Sequence, residues 1–154
     1  MTKKEKLIQQ AVDCGADVVE HRFQSDRIKG LYCDGTIAIS DRLKTSAEQT
    51  SILGEELGHH LTSYGNILDQ SDVMNRKQEL RARIWAYDNL IGLDGIVQAY
   101  KAGCRNRYEM ALFLDVTEEL LIETLNHYRE KYGQFVRYGE YTIRFEPLAV
   151  IRWM

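Results

Sequence analysis

An α+β architecture, with short strands toward the two ends of the chain and a helical middle, is what this sequence predicts. Period-two runs broken by turn residues occur at 28–39 and again along VRYGEYTIRFEP, 136–147. Between them, from about residue 45 to 132, apolar positions recur at helical spacing. A single proline, Pro147, leaves those helices uninterrupted.

The elements follow in order. Residues 3–14 carry an apolar stripe of Leu7, Ile8, Ala11 and Val12, and Gly15 ends the helix. Val18 and Val19 begin an extended piece that stops near Phe23. Two β-rich runs, 28–33 and 36–39, are joined by Asp34-Gly35, a dipeptide that accepts positive φ at low cost, so a hairpin is expected. Thr45 and Glu48 form a capping box, with Ser46 and Gln49 as the same device one residue later, and open a helix to about Leu61. SYGNILDQSDV is turn-rich, and a second long helix is expected over 75–90. Shorter helices fit 93–101, 106–113 and 117–132, the last capped by Thr117 and closed by Gly133. The tail reads as a second hairpin around Gly139, and one small sheet holding both hairpins is the simplest arrangement.

The chain's 154 residues are expected to form one domain, with neither repeat nor low-complexity tract. A net charge of -3 and pI near 5.8 weigh against a general attraction to nucleic acid or anionic membrane and leave room only for a local basic patch. No direct nucleic-acid partner and no membrane association are therefore expected. The start, MTKKEKLIQQAVDCG, lacks the apolar region of a secretory signal, and no stretch is apolar enough to span a bilayer, so a cytoplasmic location is expected. Cys14, Cys33 and Cys104 form no ligand cluster and read as reduced, mostly buried thiols.

Candidate chemistry concentrates in GEELGHHLT, 54–62. On a helix, Glu55, Glu56 and His59 share one edge, while Leu53, Leu57 and Leu61 lie on the face that binds the core. Glu55 and His59, at i and i+4, can converge on one metal ion, with Glu56 placed to reach a bound water; an ordinary solvent-facing Glu-His contact explains the same spacing. Gly58 within the helix costs roughly 0.5 to 1 kcal/mol relative to alanine, which suits a close approach by another backbone or by a substrate. The second long helix offers Glu79 as a third ligand, on a face with the small residues Ala82 and Ala86. His60 lies toward the leucine face and is expected to pack or form hydrogen bonds. Asp69 and Asp72 are candidates to orient His59, to bind metal or to cap the loop. Tyr64, about one turn beyond His59, is a candidate oxyanion donor.

ILGEELGHH resembles the active-site helix of the ImmA/IrrE metallopeptidases, where His-Glu-Leu-Gly-His is usual. KGLYCDGTIAI is similar to the hairpin preceding that helix, and ELRARIWA to the glutamate-bearing helix after it; CRNRYEMALFLDVTEELLIETLNHYREKYG and the FEPL tail resemble phage and mobile-element members, so the likeness covers about 18–148. It implies a zincin-like core with a small sheet, an active-site helix and a following glutamate helix, completed by a C-terminal helical hairpin and β-hairpin. It also implies a zinc endopeptidase acting on a helix-turn-helix repressor, with His59 and Glu79 as ligands and Glu56 as general base. Glu55 stands where the first histidine belongs. A second carboxylate would make the ion a poorer Lewis acid and loosen the preference for zinc toward manganese or iron. Weakened or altered peptidase activity is the expectation.

Residues 104–132 have the outline of a helix-turn-helix subregion within the single domain. Glu118, Glu119 and Glu123 would meet phosphates in its second helix, which makes it a poor DNA reader. The subregion is expected either to pack beside the site or to recognise a protein such as the repressor. The alternative function is accordingly an antirepressor that binds through the peptidase fold without cutting.

Overall fold

The computed structural model describes residues 1–62 and 72–153, with the side chains of Asp72 and Val73 outside that description. The fold is mixed α+β and divides into two compact units, Met1–Ala86 and Tyr87–Met154. No helix among the described residues is long and apolar enough to cross a membrane.

In the first unit, α1 (Lys3–Asp13) is capped by Thr2, whose hydroxyl accepts from the Glu5 amide at 3.1 Å. Leu7 and Ala11 are its buried positions. Gly15 takes a φ of 85° and lets the chain reverse into β1 (Asp17–His21). The hairpin β2 (Gly30–Cys33) and β3 (Thr36–Ser40) turns through Asp34 and Gly35 with φ of 48° and 79°, as the dipeptide predicts. β1 pairs parallel to β3, giving the order β1-β3-β2. Val18, Ile37 and Tyr32 lie level on one face, and Glu20, Ile39 and Gly30 form the next level.

The helix α2 (Ser46–Thr62) packs against this sheet through β2 and β3. Thr45 caps it: its hydroxyl accepts from the Glu48 amide at 3.1 Å and donates to the Glu48 carboxylate at 3.0 Å. Leu53 and Leu57 are fully buried, while Leu61 is half-buried. On another side, α2 receives α3 (Asp72–Ala86), whose Ala82 and Ala86 are fully buried.

In the second unit the helix expected to reach residue 90 loses its α-helical pattern after Ala86; Tyr87–Ile91 form a π-helical turn before α4 (Gly92–Lys101). Asn106 caps α5 (Arg107–Leu114), Asp115 ends it in the left-handed region, and the Thr117 hydroxyl accepts from Leu120 N at 3.1 Å to cap α6 (Glu118–Tyr132). The second sheet contains β4 (Phe135–Tyr138), β5 (Tyr141–Phe145) and β6 (Leu148–Arg152) in antiparallel order β4-β5-β6. Tyr141, Ile143 and Phe145 are buried along β5, and Tyr128 of α6 sets its ring 6.1 Å from that of Phe145. The Tyr128 hydroxyl donates to Asp88 at 2.7 Å.

Two expectations are corrected. The terminal hairpins belong to separate sheets, because β1 fills one side of the first and β6 extends the second. The cysteines are free but not mostly buried: Cys14 and Cys33 are exposed, at a helix end and at the hairpin turn, and Cys104 is half-buried.

Candidate functional site

The acidic-histidine edge of α2 and the start of a facing surface on α3 lie within the first unit. Gly58 lets the helices meet. A Cβ at that position would collide with the backbone carbonyl of Ala82, so the absence of a side chain sets how closely α3 approaches. One helical turn separates Ala82 from Glu79, and His59 follows Gly58 directly. The outcome is that His59 Nε2 lies 3.3 Å from Glu79 Oε1.

Glu56 faces a different neighbour. Gly30 on β2 sits over it, and a Cβ there would fall 3.2 Å from Glu56 Oε1 and 2.5 Å from Ile52 Cγ2. The bare strand backbone therefore gives the glutamate its space. Burial, helped by the charges of Glu55 and then Glu79, pushes the Glu56 carboxyl up from 4.5 to about 7. Three carboxyl groups are thus near enough to feel one another beside an imidazole.

His60 points its chemistry elsewhere. Its Nδ1 is 2.8 Å from the Tyr32 hydroxyl and its Nε2 is 2.9 Å from the Cys14 carbonyl oxygen. Because that carbonyl can only accept, Nε2 carries the proton and Nδ1 accepts from Tyr32 in the neutral ring. The ring ties α2 to both the end of α1 and the inner face of β2, as expected for a packed and hydrogen-bonded residue. Tyr32 is the participant that sequence reasoning missed; alternation along the hairpin, which levels it with the core residue Ile37, was the available signal.

His59, Glu79 and Glu56 are therefore brought to one side of α2, with Glu55 near enough to act on Glu56 electrostatically. Among the described residues, no trio of His, Cys, Asp or Glu is already gathered in a metal-binding group. The donor types nevertheless suit a divalent cation, because one would relieve the repulsion among the carboxyl groups and take both an imidazole nitrogen and carboxylate oxygens. Tyr64 and Asp69 lie outside the described residues, and for Asp72 only the backbone opening α3 is described.

No family model matches the chain, and no curated protein matches it. Among solved structures, a Mycobacterium tuberculosis transcriptional regulator is similar in fold, with a TM-score of 0.55 and 14% identity over 80% of this chain. The match spans 40% of that protein's length.

Proposed function

We propose that this protein is a metal-dependent endopeptidase of the ImmA/IrrE kind, with a zincin-like core, whose substrate is a helix-turn-helix repressor of a phage or mobile element. The observation that carries this reading is the approach of His59 to Glu79 across two helices, beside the half-buried carboxyl of Glu56. His59, Glu79 and Glu55 would hold zinc, or manganese or iron given the oxygen-rich donor set. The cation would supply Lewis-acid polarisation of a peptide carbonyl and acidification of water.

Glu56 supplies the proton transfer. In the metal-free fold its proton affinity lies near neutrality, and a cation held beside it would favour the ionised form that accepts a proton from water. It takes a proton from the attacking water and returns it to the departing amine. Gly30 keeps that carboxyl uncrowded, and His60 holds α2 at a fixed distance from β2 without entering the donor set. Tyr64 is retained as the proposed oxyanion donor on its spacing from His59.

A second reading is favoured by Glu55, a carboxylate where the resembled active-site helix carries its first histidine: an antirepressor that associates with the repressor and leaves it intact. Incubating the metal-loaded chain with its cognate repressor separates the two. Discrete fragments suppressed by a chelator support hydrolysis, whereas a stable complex of full-length chains supports association alone. Neither fragments nor a complex would remove the repressor from both readings.

A further inference from the structure

The outer face of the second sheet has a composition that the peptidase reading does not use. Cross-strand register sets Phe135, Arg144 and Ala149 in one row and Arg137, Thr142 and Ile151 in the next. The buried positions Tyr141, Ile143 and Phe145 alternate with Thr142 and Arg144, so these two rows face away from the unit's core. Trp153 follows Ile151 by two residues, and its indole Nε1 contacts the Thr142 hydroxyl, which holds the ring against the same face.

Phe135, Ile151 and Trp153 are 54%, 45% and 53% exposed. No carboxylate occupies either row. The Arg137 Nε donates to the Gly139 carbonyl at 3.4 Å and the Arg144 Nε to the Pro147 carbonyl at 2.9 Å. Each guanidinium is therefore oriented by a turn, and neither has a carboxylate within ion-pair distance among the described residues. By contrast, Arg152, levelled with Tyr141 on the other face, pairs with Glu140 at 3.7 Å.

We propose that this face binds single-stranded nucleic acid. At roughly 3.4 Å per residue and about 4.8 Å between strands, Phe135 and Trp153 occupy opposite corners of a patch only about 10 Å by 14 Å. That is far below the roughly 800 Å² per partner of a standard protein interface. It suits a few nucleotides. A single strand carries flat bases and an anion at every step, matching two exposed aromatic rings with two guanidinium groups between them that have no carboxylate partner among the described residues. The net charge of -3 disfavours attraction to the chain as a whole, but these rows contain only cationic, apolar and hydroxyl side chains. This site lies on a different element from the helix edge of the proposed peptidase, and neither proposal rests on the other.

The test is titration of the full chain with fluorescently labelled oligothymidylate and oligouridylate at low salt, following probe anisotropy and tryptophan emission. Saturable binding is expected with quenching that disappears in Trp153→Phe, leaving Trp85 as the remaining tryptophan reporter. Trp153→Ala and Phe135→Leu should each weaken binding at least about fivefold, the lower end of a lost base stack. In the wild type, log affinity should fall with log salt at a slope of about -1.4 for two phosphate contacts, and Arg137→Gln with Arg144→Gln should flatten it. All four positions lie on the sheet's outer face, and unchanged thermal melting checks that the variants retain their fold. Four results would overturn the proposal: no saturable binding; binding indifferent to these substitutions; equal competition by polyglutamate; or a concentration-dependent dimer that Trp153→Ala dissolves.

Discussion

Gly30 and Glu56 meet where strand β2 passes over helix α2: the glutamate Oε1 lies 3.2 Å from the place a Cβ would occupy on the glycine. The same Cβ would be 2.5 Å from Ile52 Cγ2. Gly30→Ala must therefore move a side chain anchored on the helix or lift the strand from it. Overpacking of this kind costs about 1 to 3 kcal/mol. A lower melting temperature and a changed proton affinity of Glu56 are expected; a variant as stable as wild type would show that the strand yields without resistance.

The Glu56 carboxyl makes the metal-free protein pH-sensitive. Its folded proton affinity, about 7, exceeds the ordinary 4.5, so between those values the folded state binds more protons than the unfolded state. Stability from this group is complete below pH 4.5 and is lost as pH rises through 7. The upper bound on the loss is about 3 kcal/mol, at about 1.4 kcal/mol for each tenfold change in proton affinity. Denaturant titrations of chelated protein across this window should show that decline, and Glu56→Gln should abolish it. A bound cation favours the ionised carboxyl, so metal-loaded protein should lose the decline as well. A flat profile for chelated wild type would place Glu56 in a more solvated setting.

Gly58 makes a harder test of helix contact, since its neighbour is the Ala82 backbone carbonyl and not a flexible side chain. Gly58→Ala improves local helix propensity by about 1 kcal/mol but forces α2 and α3 apart. Net destabilisation and weaker metal binding are expected together. Increased stability with unchanged metal affinity would mean that the close approach is dispensable.

Local chemistry was the legible part of this fold. The Asp34-Gly35 reversal and the Thr45 and Thr117 caps depend on residues within four positions of one another, and each forms as its sequence predicts. Gly58 was readable for a related reason: a glycine inside a helix costs propensity, and the Ala82 carbonyl explains what that cost permits. The parallel pairing of β1 with β3 joins neighbours in the sheet that β2 separates in sequence, for which no short pattern exists. β6 begins immediately after Pro147, where a turn residue obscures the return of an extended segment. At the site, helix spacing placed Glu55, Glu56 and His59 along one edge. It did not reveal that Tyr32 would meet His60, because that contact depends on how the hairpin lies over the helix.

The adjacent histidines should behave differently. His60 bonds to Tyr32 and the Cys14 carbonyl, so His60→Ala loses two contacts and about 1 to 3 kcal/mol of stability. Metal stoichiometry should survive. His59→Ala should instead leave the fold standing and reduce metal retention after dialysis, because its contact with the exposed Glu79 carboxylate contributes little to folding. Reversal of those two outcomes would exchange the assigned roles.

Glu55 decides how far the donor set can support hydrolysis. With Glu55 as ligand, two carboxylates would donate more negative charge to the cation than one carboxylate and two imidazoles, and water would be harder to deprotonate. Glu55→His should therefore raise repressor cleavage and shift metal preference toward zinc, measured by fragment release and competitive metal binding. Glu55→Ala should weaken metal affinity and cleavage together. If Glu55→Ala binds metal as wild type does, Glu55 acts only through its charge on Glu56, and the lower proton affinity of Glu56 in that variant becomes the expected signature.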